Sequence, residues 1–263
     1  MQLRPEGAGL RAGGTIAGRE AEMFTYVGTG FVGLQLICIP LGGRSMKAAF
    51  SMTGRKMLVL GATGGTGREI VAQALRQGHE VTALIRRPEH DARLPAGVRV
   101  LRGTVTDDTE ALDAAVRGQE IVISALGVGK ALRSGGLIAR SAPLIVRAMG
   151  RQGLRRLIFM SAYGVGATWK DVPILPRMLM GMLFRDLYAD KEIGEEAVRR
   201  SDLDWTLVYA VTLTNSPGAG RYRVGEQLRL RGFPTISRAD VAEFILTQVE
   251  DRRYLRKGVL ISS

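Results

Sequence analysis

The stretch Met57-Leu-Val-Leu60-Gly61-Ala-Thr63-Gly64-Gly65-Thr66-Gly67 decides how this chain is read. Four apolar residues running into a glycine fit a strand buried on both faces, as in a parallel sheet. The segment that follows, Glu69 to Gln77, carries Ile70, Val71, Ala74 and Leu75 at helical spacing, and Gly78 ends it. The glycines therefore stand between a strand and a helix. In that setting Gly61 permits a tight turn, Gly64 lets backbone approach a pyrophosphate, and Gly67 allows close packing of helix on strand. The helix start adds unpaired N–H groups and partial positive charge, and Thr63 and Thr66 offer hydroxyls. The pattern implies a bound dinucleotide.

Working outward, the same alternation repeats. Glu80–Ile85, Val98–Leu101, Glu120–Ser124, Arg156–Met160, Asp204–Val208 and Gly258–Ser262 read as further strands. Helical patterns fall at 109–117, 137–152 and 191–200, and a last helix follows Ser237 as its N-cap with Asp240 in its first turn. Strands alternating with helices need crossover connections, so the expected fold is α/β, a doubly wound parallel sheet (Rossmann fold) in a single domain over residues 55–263.

The end of the second strand selects the nucleotide. An acidic side chain about 20 residues after the glycines accepts from the ribose 2′-hydroxyl of NAD. Here Arg86-Arg87 occupies that place. A guanidinium pairs bidentately with a 2′-phosphate and stacks on adenine, so NADP(H) is expected over NAD(H). Two surface arginines at a strand end are the alternative.

Residues 1–54 differ in character and read as an N-terminal extension, disordered or lying before a downstream start at Met23, Met46, Met52 or Met57. Met23 to Gly43 is a run of 21 residues without charge, close to the ~20 that a membrane span needs. Gly28, Gly30, Gly33 and Pro40 dilute its apolarity, and Glu20 and Glu22 precede it, so a span over 23–43 is not expected. Gly28-Thr-Gly30-Phe-Val-Gly33 also matches the dinucleotide pattern letter by letter, but it lacks the strand before it and the long helix after it.

The chain carries 37 basic and 25 acidic side chains, for a net charge of +12. The excess is scattered arginine rather than a basic arm, since residues 1–52 hold only five basic and three acidic residues. A solvated basic surface is expected, without nucleic acid as partner. One cysteine, Cys38, excludes an internal disulfide, and His79 and His90 alone supply no metal cluster. A reducing, cytoplasmic setting and a monomer or dimer fit these counts.

Taken together, the GATGGTG loop after its strand, Ile85-Arg-Arg-Pro88, Ser124-Ala125-Leu126-Gly127, Phe159-Met-Ser161-Ala-Tyr163 and Gly218-Ala-Gly-Arg-Tyr-Arg-Val224 resemble the atypical short-chain dehydrogenase/reductases. The nearest likeness is to NAD(P)H-binding proteins of the biliverdin reductase B or flavin reductase type, with NmrA-like regulators further away. It covers residues 57–263. The resemblance implies that Gly61, Thr63, Gly64, Gly65, Thr66 and Gly67 hold the pyrophosphate and Arg86 the 2′-phosphate, with Arg87 beside it. Ala125, Leu126 and Gly127 would meet the nicotinamide-side ribose. Ser161 would face the nicotinamide as the catalytic-site hydroxyl, positioning the carboxamide or the substrate, or else be a buried serine satisfied by backbone. Tyr163, Lys191 and Thr212 would be at the substrate.

Two departures shape the expected activity. Short-chain dehydrogenases of alcohols pair a Tyr with a Lys four residues later, which lowers the phenol pKa for proton transfer. Tyr163 is followed at that offset by Ala167 and Tyr188 by Glu192, so ordinary alcohol oxidation is not expected. Second, Thr212 stands where biliverdin reductase-like proteins can carry His, and Tyr209-Ala210 where relatives often read Arg-Pro. The reading is an NADPH-dependent reductase that passes hydride to a small-molecule acceptor, a flavin, quinone or tetrapyrrole. Its alternative is an NmrA-like protein that senses NADP without turnover. Between the fifth strand and the next helix, Trp169 to Asp190 supplies either a flexible apolar wall for a flat acceptor or core and dimer surface. Lys130 and Arg133 attract an acidic substrate or are solvated loop charges.

Overall fold

The computed structural model describes residues 54–263 apart from Lys130, Leu132, residues 173–183 and Arg231. The expected first strand is β1 (Lys56–Leu60), whose Met57, Leu58, Val59 and Leu60 are all fully buried. It is flanked in parallel by β2 (Glu80–Ile85) and β4 (Ile121–Ser124), with Leu60 level with both Leu84 and Ser124. Adding β3 (Arg99–Arg102), β5 (Arg156–Ala162), β6 (Asp204–Ala210), β8 (Arg223–Gly225) and β10 (Lys257–Ser262) completes an eight-stranded sheet in the order β3-β2-β1-β4-β5-β6-β10-β8. Only β8 runs antiparallel, against β10. The chain builds outward from β1 to β3 and then returns to β4. The direction of winding thus reverses between β1 and β4, where an open α/β sheet leaves its ligand crevice.

Helices α1 (Gly65–Arg76), α2 (Thr109–Val116), α3 (Leu137–Arg151), α4 (Arg185–Arg199) and α5 (Arg238–Thr247) cover the sheet. Right-handed crossovers that lead in opposite directions place α1, between β1 and β2, and α3, between β4 and β5, on opposite faces. On one face α1 packs on α5, and Gln73 Nε2 donates to the Ala239 carbonyl at 2.9 Å. On the other, α4 packs on α3 through an i, i+4 stripe. Asp190 accepts from the N–H groups of Ile138 at 3.1 Å and Ala139 at 2.8 Å, capping α3, while Gly136 at that helix's N-cap has no side chain to do so. One turn on, a Cβ at Gly194 would lie 2.6 Å from Ile138 Cγ2, so glycine sets the close approach of the two helices.

Three features depart from the sequence reading. Helix α4 begins at Arg185, not Lys191, because its first turns dock through Asp186 and Asp190 rather than through apolar residues; Asp186 accepts from the Ser134 N–H at 2.6 Å. Helix α1 begins at Gly65, inside the glycine loop. Three short strands went unanticipated: β7 (Thr212–Thr214), β8 and β9 (Thr235–Ser237). β7 and β9 pair in parallel as a separate sheet, each only three residues long, too short for any alternation to show. Residues 1–53, with Cys38 and the stretch 23–43, lie outside the described residues, as do Lys130 and most of the apolar segment after Trp169.

Candidate dinucleotide site

The residues singled out in the glycine loop come together at the carboxyl ends of β1 and β4. Gly61 adopts φ +80°, and a Cβ there would fall 2.5 Å from the Ala125 carbonyl oxygen. Glycine alone therefore lets the loop after β1 touch the Ala125–Leu126 segment after β4. A Cβ at Gly67 would fall 2.0 Å from the Gly61 oxygen, which makes the third glycine the condition for α1 to pack on its own strand. The Gly64 N–H closes the turn onto the Gly61 oxygen at 3.0 Å, and Arg68 N–H is bonded to the Gly64 oxygen at 2.9 Å. Between them lie the N–H groups of the first helical turn, which an α-helix leaves without internal partners. Gly64 is the N-cap, no side chain caps it, and the first turn holds no acidic residue. This uncapped positive helix end, with glycine at positions 64, 65 and 67, fits the pyrophosphate of a dinucleotide.

Arg86 and Arg87 follow β2 directly at the same edge, both exposed. At the other side of the crevice β5 runs past the end of β4, and Ser161 lies there, buried. Its hydroxyl donates to Glu195 of α4, a fully buried carboxylate. Glu195 Oε2 also accepts from Arg199 at 2.7 Å and from the Tyr209 hydroxyl at 2.9 Å. Ser161 is thus satisfied by a side chain rather than by backbone. Burial, reinforced by the Glu195 charge, raises the Tyr209 phenol above its ordinary range. Lys191 sits one turn before Glu195 on the same stripe of α4. Burial pulls its ammonium below the usual lysine range, although Glu195 and Asp190 oppose the shift. The position four residues before Lys191 is Leu187. Tyr163 is partly buried after β5, its N–H donating to the Ala210 oxygen at 2.9 Å. Thr212 opens β7, exposed, and joins the second sheet rather than the crevice strands.

Sequence reasoning missed Glu195 and Arg199, although Lys191, Glu195 and Arg199 recur at the i, i+4 spacing that puts them on one helical stripe. It also missed Arg238, which crosses Gly65. A cavity of about 390 Å³ lies at the opposite edge of the sheet, lined by Lys56, His79, Arg99 and Arg117 among others, and it contains none of the residues above. Among the described residues there is no group of side chains fit for a metal ion, and no helix long and apolar enough to cross a membrane.

A switch-point crevice with a glycine-rich loop feeding a helix start defines a dinucleotide-binding protein of Rossmann type. Residues 61–252 match the NAD(P)H-binding family, and the chain belongs to it, as the resemblance to the atypical short-chain dehydrogenase/reductases implied. A curated relative, the uncharacterized sugar epimerase YhfK of Bacillus subtilis, is 25% identical over 210 residues, which are 75% of this chain and 89% of that protein. The solved structure of ChuY, an anaerobillin reductase of Escherichia coli O157:H7, superposes with a TM-score of 0.65 at 22% identity, over 78% of this chain and 95% of that one. A wide-type short-chain dehydrogenase/reductase of Veillonella parvula in complex with NADP has a TM-score of 0.58 at 22% identity, over 80% and 94% of the two chains.

Proposed function

We propose that the protein is an NADPH-dependent reductase of a flat, electron-poor acceptor, a flavin, quinone or tetrapyrrole-like molecule. The observation that carries this is the pairing of an uncapped glycine cradle with an opposite wall whose Lys191 is preceded at four residues by Leu187, not by a phenol. The loop residues 61–67 hold the pyrophosphate through backbone N–H groups, and Arg86 with Arg87 engages the 2′-phosphate. Ala125, Leu126 and Gly127 border the nicotinamide half. Ser161, whose O–H donates its hydrogen bond to Glu195, retains lone pairs that accept from a carboxamide N–H. Lys191 offers its ammonium to the ribose or to the acceptor, with Tyr163 nearby in sequence to Ser161. When bound, the nicotinamide supplies a hydride. An acceptor that takes its proton from water asks the protein chiefly for orientation, which suits a chain whose Tyr163 and Tyr188 lack a Lys four residues later. The fold likeness to an anaerobillin reductase supports a tetrapyrrole-like acceptor among the three.

The test is NADPH oxidation by the full chain with FMN, a quinone and biliverdin offered separately, and NADH as control. Turnover with any of them, faster with NADPH, is expected. Tight NADP binding without turnover would instead favour a redox-sensing regulator, and no binding of either nucleotide would overturn the assignment.

A further inference from the structure

The short strands invisible in the sequence deliver a side chain to the glycine loop. Parallel pairing of β7 with β9 sets Thr214 opposite Ser237, so the next residues, Asn215 and Arg238, leave the ladder side by side. Asn215 Oδ1 accepts from Arg238 Nη1 at 2.7 Å. Ser237 fixes the start of α5, its Oγ accepting from the Asp240 N–H at 2.9 Å, and the Gln73 bond to Ala239 ties that start to α1. The Arg238 side chain thereby lies across Gly65. A Cβ on Gly65 would be 2.6 Å from Arg238 Nε, 2.8 Å from Cδ and 3.4 Å from Cζ. Only a glycine as first residue of α1 leaves room for it.

We infer that Arg238, oriented by Asn215, is a clamp on the dinucleotide pyrophosphate, a role that rests on the nucleotide reading above. Among the described residues the guanidinium makes a single hydrogen bond, to Asn215, which leaves Nε–H and Nη2 as donors. A planar fork held over an uncapped helix start adds charge-assisted bonds to an anion that the backbone N–H groups already favour. The partner is a neutral amide, not a carboxylate, so the guanidinium charge is not cancelled where it stands. The sheet β7–β9 thus acts as the support of a binding residue.

The measurement is equilibrium binding by calorimetry to the full chain, with NADPH, NADH and adenosine 2′-monophosphate as probes; the last has the 2′-phosphate but no pyrophosphate. Arg238→Ala should weaken NADPH and NADH alike, about 10- to 100-fold as for loss of a hydrogen bond to a charged group, and leave adenosine 2′-monophosphate within about twofold. Arg238→Lys should recover part of the loss, and Asn215→Ala should weaken both dinucleotides by a smaller factor while preserving the melting temperature. Wild-type binding with unchanged dinucleotide affinity in Arg238→Ala overturns the clamp alone. Selective loss of NADPH over NADH would also overturn it, by moving Arg238 to the 2′-phosphate. Failure of the wild type to bind any dinucleotide would overturn the nucleotide reading and the clamp with it.

Discussion

The hydroxyl of Ser161, at the carboxyl end of β5, donates to the carboxylate of Glu195 in the third turn of α4. That carboxylate is fully buried and takes two further bonds, from Arg199 and Tyr209. A buried charge is tolerated only with such partners, and removing one member leaves the others uncompensated. Glu195→Leu strands a guanidinium, a phenol and a serine hydroxyl together, and is expected to cost about 3–5 kcal/mol of stability in urea unfolding. Glu195→Gln keeps the shape and one acceptor oxygen and should cost distinctly less. A Leu variant within about 1 kcal/mol of wild type would mean that the network carries little of the fold's stability.

His79 gives a pH dependence of known sign. It is buried beside the Arg55–Glu120–Glu250 ion-pair cluster, and its Nδ1 accepts from the Arg55 N–H at 3.1 Å. Burial holds its imidazole below the usual range, against the pull of Glu250 and Glu120. Because its folded pKa lies below the ~6.5 of an unfolded chain, the unfolded state binds the proton first. The contribution is therefore complete above ~6.5 and is lost as pH falls through the lower folded value. His79→Asn keeps an acceptor without a titrating ring, and its stability should decline less steeply than wild type's between about pH 7.5 and 5. Parallel curves would place the acid sensitivity elsewhere.

Arg86 should decide between nucleotides. It follows β2 exposed, at the same edge as the glycine loop, where a 2′-phosphate meets no carboxylate in the Arg86-Arg87 pair. Arg86→Asp replaces attraction with repulsion and should weaken NADPH by at least ~10-fold while changing NADH far less. Equal loss of both, measured as Kd by fluorescence or calorimetry, would sink the assignment.

The seven parallel strands of the main sheet and the glycine loop were legible because their signals are local. Met57–Leu60 is apolar without interruption since β1 is buried on both faces, and Gly61, Gly64 and Gly67 are spaced by the geometry they serve. What escaped depended on partners distant in sequence. Asp186 and Asp190 carry no local signal of their roles, because the N–H groups they accept from, Ser134 before α3 and Ile138 and Ala139 in its first turn, lie about 50 residues earlier. Thr212–Thr214 and Thr235–Ser237 are three-residue strands whose only evidence is each other. Nothing local to Arg238 marks it, because it is that pairing which sets it over Gly65.

Lys191 tests the nicotinamide side. Its ammonium is pulled below the usual range by burial, only partly offset by Glu195 and Asp190. A lysine with a lowered folded pKa contributes stability that is present above its unfolded pKa of ~10.4 and lost as pH falls through the folded value. Holding the charge at that buried position therefore costs the fold stability. Lys191→Met, similar in length and apolar, should raise the melting temperature at pH 7. If the ammonium meets the nicotinamide half, the same change should weaken NADPH about 10-fold or more and leave adenosine 2′-monophosphate, which lacks that half, unaffected. Unaltered NADPH binding with a raised KM for the acceptor would transfer Lys191 to the substrate. A variant less stable than wild type at pH 7 would show instead that Glu195 and Asp190 outweigh burial, making Lys191 a structural partner of the buried carboxylate.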